Sequence, residues 1–166
     1  MFQVSRLWLV TALCAVGVLT VSAAATPDGI EQRKQDVVRG TLEKMGRPDR
    51  SGPFQEALAA ASALVDIQVD ASGEKPVVTL QVTGQPAYKA FPFEDENGKK
   101  IVIDLMDTVN LRAGTTFAAA NCAVMRQVRT SLFAVEPQFI SRVVVDLTAP
   151  AAFDISQAAE DRKSVV

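Results

Sequence analysis

Three short motifs carry residue types that catalysis or metal binding would use, and the context of each argues against that use. Ser72-Gly73-Glu74-Lys75 has the Ser-x-x-Lys spacing of penicillin-interacting enzymes, where the lysine must stand one helical turn from a serine at a helix start. Gly73 and the alternating residues on either side make this stretch a hairpin turn instead. Glu94-Asp95-Glu96-Asn97-Gly98 gathers carboxylates and a glycine as a calcium loop would, but it lacks alternating ligand spacing and a terminal Glu. With Lys99 and Lys100 beside it, it reads as a solvated hairpin tip. Asp104 and Asp146 suggest an acid and base pair. They occupy equivalent places in two similar strands, so they are expected to be a structural strand motif, bonded to a neighbouring strand or paired with an arginine. The chain has no histidine, which removes His-dependent triads and nearly every zinc hydrolase. No catalytic residue, metal ligand set or cofactor is expected, and the chain is read as no enzyme.

Composition narrows the remaining choices. The 166 residues suit one compact domain. Lys plus Arg total 17 against 19 for Asp plus Glu, so no basic excess exists to follow a phosphate backbone, and no nucleic-acid partner is expected. Arg6 follows a short start and precedes an uncharged apolar or small run, Leu7 to Val21, that ends in Ser22-Ala23-Ala24-Ala25. Residues 1–25 therefore read as a secretory signal peptide. The run is shorter than the ~20 residues that span hydrocarbon, and Ala23 and Ala25 fit a cleavage site before Thr26. Cleavage there leaves no membrane span, removes Trp8 and Cys14, and leaves Cys122 as the one thiol. That thiol is expected either to be buried as a small hydrophobe or to pair between chains, with burial favoured by its apolar neighbours. The location expected from the leader is the periplasm.

The elements that must position any binding residues are mainly strands. Residues 26–46 read as an amphipathic helix, with Asp28 and Glu31 at capping-box spacing and Ile30, Val37, Val38, Leu42 and Met45 on one stripe. Residues 47–63, with Pro48, Gly52 and Pro53, are expected to be a linker or short helix. From Leu64 the period changes to two, and Leu64 to Val69 pairs across the 71–75 turn with Val78, Leu80 and Val82. Tyr88 to Phe93 and Lys100 to Leu105 form a second hairpin around Asn97-Gly98. After a loop from Met106 to Met125, Val128 to Val135 and Phe139 to Leu147 flank the turn at Glu136-Pro137-Gln138, and Ala152 to Ile155 closes the set. Seven or eight strands at this spacing predict an all-β fold, a small β-sandwich of two packed sheets over residues 64–156, with a polar tail at 157–166. Two echoes support it. Lys100-Ile101-Val102-Ile103-Asp104-Leu105 matches Arg142-Val143-Val144-Val145-Asp146-Leu147, and Thr79 to Thr83 followed by Tyr88 matches Val144 to Thr148 followed by Phe153. They suggest two opposed sheets of related pattern.

In their order and spacing, Leu64 to Val69, Val77 to Tyr88, Lys100 to Leu105, Val128 to Phe133 and Arg142 to Leu147 resemble the AMIN domain. The resemblance covers residues 64 to 155 and departs at Phe133-Ala134-Val135-Glu136-Pro137, where the family often has a glycine turn. AMIN domains serve as targeting modules of periplasmic cell-wall amidases and type IV pilus secretins. The resemblance therefore implies a noncatalytic module that binds peptidoglycan. For such a polymer Arg126, Arg129 and Arg142 are the best donors, because guanidinium grips a carboxylate with two parallel bonds. Tyr88 is the one polar aromatic for a sugar ring. A different expectation is a protein-interaction subunit of a pilus, secretion or division complex, acting through an edge strand or the helix at 26–46.

Overall fold

The protein, seen as a computed structural model, is described over residues 6–12, 27–46, 52–71, 75–119 and 122–157. The expected leader cleavage site, Cys14, residues 47–51, Ser72 to Glu74 and the tail after Gln157 lie outside the described residues. Two helices, α1 (Pro27–Lys44) and α2 (Pro53–Ala60), follow strand β1 (Arg6–Ala12). Then come β2 (Ser62–Asp70), β3 (Val77–Val82), β4 (Tyr88–Asp95), β5 (Gly98–Met106) and β6 (Thr108–Asn110). β7 (Thr116–Ala118), β8 (Met125–Ala134), β9 (Ile140–Leu147) and β10 (Phe153–Gln157) complete the order.

The strands form two packed sheets, so the expected mostly-β sandwich is the observed architecture. One sheet runs β10-β1-β3-β2-β6 and the other β4-β5-β9-β8-β7. Alternation decides which residues meet between them. Leu64, Ile67, Val78, Leu80 and Val82 from the first sheet bury against Ile101, Ile103, Leu105, Val128, Val143 and Val145 from the second. Cys122 is half-buried at the edge of this cluster, where its Sγ accepts a hydrogen bond from the Met125 backbone N–H at 3.3 Å.

A second apolar cluster lies under the helices. Ile30, Val38 and Leu42 of α1 and Leu58 of α2 pack with Val109, Leu111, Val135 and Phe139. The helix at 27–44 is therefore no free arm. Its apolar stripe is packed against the sandwich, so only its polar side faces outward. Two details of the stripe differ from expectation. The helix ends at Lys44 and Gly46 turns the chain at φ 66°, which leaves Met45 exposed. Lys34 takes the stripe position between Ile30 and Val38 and is 1% exposed.

The echoing strands β5 and β9 are neighbours in one sheet, not members of opposed sheets. They pair antiparallel with Lys100 opposite Asp146 and Asp104 opposite Arg142. A basic residue followed four places later by Asp, repeated in antiparallel neighbours, sets each cation across from a carboxylate. The second echo marks a different event. After β3 the chain crosses from the first sheet to β4 in the second, and after β9 it crosses back to β10.

Three strands are additions to the expected set. β6 and β7 have three residues each, too few to show a period. β6 nonetheless ties the layers together. It pairs in parallel with β2, while Asn110, fully buried, donates from its amide to Thr130 Oγ1 and, at 3.0 Å, to the Ser131 carbonyl on β8. Ser141 Oγ on β9 donates to the Thr108 carbonyl at 2.8 Å. The third addition is β1, which falls within the expected leader and lies between β3 and β10. Its Leu-Trp-Leu-Val-Thr run combines the apolarity of a leader with the residue types that suit a strand.

The β4–β5 turn closes on Gly98 at φ 110°, a conformation L side chains rarely adopt. No atom would meet an added Cβ there, so the cost of Gly98→Ala is backbone strain alone. A loss of about 1 kcal/mol is expected in urea unfolding.

Candidate functional site: the outer face of the second sheet

Because Ile101, Ile103, Val143 and Val145 face the core, the alternate residues of β5 and β9 must face outward. The register then writes the outer surface row by row. Phe93, Lys100, Asp146 and Gln127 lie across one row, Phe91, Val102, Val144 and Arg129 across the next, and Lys89, Asp104, Arg142 and Ser131 across the third.

Two bidentate pairs organise this face. Arg129 donates from Nε to Asp146 Oδ2 at 2.7 Å and from Nη2 to Oδ1 at 2.8 Å. Gln127 Nε2 adds a bond to Oδ2 at 2.7 Å. Arg142 donates to Asp104 in the same way, at 2.7 and 2.8 Å, and its guanidinium carbon lies 3.4 Å from the centre of the Phe133 ring. These hydrogen bonds raise both arginine pKa values above their ordinary range. Burial pushes the Asp146 carboxyl up, but the bonds from Arg129 and Gln127 outweigh it and hold the carboxyl below its ordinary value. Asp95 is also lowered, chiefly by its hydrogen bond from Lys100. The expected strand motif of Asp104 and Asp146 thus takes the arginine-pairing form.

The four binding residues expected from sequence divide unequally. Arg129 and Arg142 share the outer face, but each is already clamped by an aspartate. Arg126 is exposed at the bulge where β8 passes from Met125 to Gln127. It is close enough to Asp146 to lower that carboxyl's pKa, and it makes no ion pair within 4 Å among the described residues. Tyr88 pairs with Leu105 and therefore lies on the opposite face from the arginines. The aromatics that do share their face are Phe91, Phe93 and Phe133, all exposed. Sequence reasoning passed over them because it looked for a sugar-holding ring among the polar aromatics, where Tyr88 stands alone. The signal was present in Lys89-Ala90-Phe91-Pro92-Phe93, where period two sets both rings with Lys89 and against Ala90, a residue packed on the core.

Lys100 Nζ lies 5.9 Å from the Phe93 ring centre, and beside it a groove of about 340 Å³ runs between the β4–β5 hairpin and Pro150 and Ala151. Among the described residues no group of three or more acidic or thiol side chains could hold a metal ion, and no helix is long and apolar enough to cross a membrane. The chain matches no family model, no curated protein and no solved structure.

Proposed function

We propose that the protein is a noncatalytic, periplasmic wall-binding module of AMIN type that holds peptidoglycan on the outer face of its second sheet. The observation that carries this reading is the union, on one rigid face, of clamped arginines, an unclamped Arg126 and three exposed phenylalanine rings. Clamping by Asp104 and Asp146 fixes two guanidinium planes and leaves their outward N–H groups for hydroxyl and amide oxygens of a polymer. Arg126 has no such clamp among the described residues and is the group suited to a stem-peptide carboxylate. Phe91 and Phe93 offer flat apolar surface to sugar rings. Individually weak contacts then add along a repeating chain.

Purified protein is expected to cosediment with isolated sacculi at low salt and to be released as ionic strength rises. Arg126→Ala and Phe93→Ala should each weaken that binding about five- to twentyfold while leaving the urea midpoint unchanged. Absence from the pellet at low salt would remove the wall-binding reading. The second reading, an interaction subunit of an envelope complex, gains nothing from β4. Pro92 interrupts that edge strand and removes a donor from it.

A further inference from the structure

We propose that the exported chain has an open strand position in its first sheet, between β3 and β10, which accepts an extended, uncharged segment of an envelope partner protein. The proposal rests on the leader reading, and it concerns a surface separate from the polymer-binding face.

Strand β1 is an inner strand. It pairs antiparallel with β3 from Arg6 opposite Val82 to Thr11 opposite Val77, and antiparallel with β10 from Trp8 opposite Gln157 to Ala12 opposite Phe153. It therefore satisfies backbone groups on two strands at once. All of β1 lies within residues 1–25, so leader removal takes it away whole. β3 is buried along its full length with β1 in place, and losing that neighbour strands a row of N–H and C=O groups beside an apolar layer.

The gap does not close easily from within. Strands flanking a missing neighbour stand about 9.6 Å apart, twice the usual spacing. For β10 to pair with β3 it must shift by one strand, and its Phe153 and Ile155 are packed against the sandwich core. The stretch that leads into it is tied down as well, because the Thr148 N–H donates to the Val124 carbonyl at 2.9 Å.

The seated segment states what the position takes. Leu7 to Thr11 is extended, uncharged and mostly apolar, and a partner strand of that kind would add antiparallel to β3 by main-chain hydrogen bonds. Other edges fit such a partner less well. Pro92 interrupts β4, and β6 and β7 have three residues each.

The test uses protein exported with its own N-terminus in a bacterial host and recovered from the periplasm, with the start of the chain read by mass spectrometry. The probe is a labelled synthetic peptide of residues 6–12, Arg-Leu-Trp-Leu-Val-Thr-Ala. The expected result is saturable binding that slows hydrogen exchange at β3 amides and is weakened about tenfold or more by Leu9→Pro in the peptide. Full-length chain made in the cytoplasm, with β1 already seated, should bind none. Processed, folded protein that binds no peptide and already protects its β3 amides would overturn the open position and leave the export reading intact. An N-terminus still at Met1 in the exported protein would overturn the export reading, and this proposal with it.

Discussion

Replacing Lys34 with alanine is expected to lower the unfolding free energy by about 2–4 kcal/mol, a large effect for a helix residue. The side chain is 1% exposed. Its ammonium donates to Glu31 Oε1 at 2.9 Å, to the Ala59 carbonyl at 3.2 Å and to the Ala61 carbonyl at 2.7 Å. Those carbonyls end α2, where a helix leaves acceptors without partners of its own and its dipole favours a cation. One charge therefore closes α2 and fastens α1 to it. Lys34→Met keeps most of the stem and loses the donors, so its cost separates packing from hydrogen bonding. Urea unfolding should place it between wild type and Lys34→Ala, and a methionine variant as stable as wild type would show that the three bonds contribute nothing.

Asp146→Ala is expected to cost about 1–3 kcal/mol. Removing one member of a buried pair typically costs more, but Arg129 is 45% exposed and regains water when its partner goes. The same carboxylate gives stability an acid limit. Its folded pKa lies below the ordinary 3.8, so the unfolded chain takes up the proton first as pH falls. The contribution is complete above that ordinary value and is lost as pH drops through the lower, folded one. Unfolding measured across a pH series should show wild type losing stability more steeply than Asp146→Asn below pH 3.8. Equal slopes would mean that the Arg129 clamp does not perturb the carboxyl.

Period-two alternation made the sheets legible in the sequence. In β5 and β9 one face is apolar and the other carries the charges Lys100, Asp104, Arg142 and Asp146 around a central valine, Val102 or Val144, so the charged positions declare which residues pack. What alternation does not declare is which strands become neighbours. The match between Lys100 to Leu105 and Arg142 to Leu147 fits opposed sheets as readily as adjacent strands, and the choice depends on charges that become complementary only when the two strands run antiparallel. Lys34 was illegible for a related reason. A lysine in an apolar stripe looks like a break until the carbonyls at Ala59 and Ala61, supplied by another helix, are seen above it. On the outer face of the second sheet the arginines were found by type and the phenylalanines were missed, although parity along Lys89 to Phe93 placed Phe91 and Phe93 outside.

The charge order shared by β5 and β9 is palindromic under antiparallel pairing. Lys100 and Asp104 of one β5 would stand as well opposite Asp104 and Lys100 of a second β5, with Val102 meeting Val102, as they do opposite β9. These charges select an alignment but not an identity, so β9 must win by tethering. Concentrated, incompletely folded chains are consequently exposed to exchange of this strand between molecules, a route to entanglement that the finished sandwich closes by seating β5 between β4 and β9.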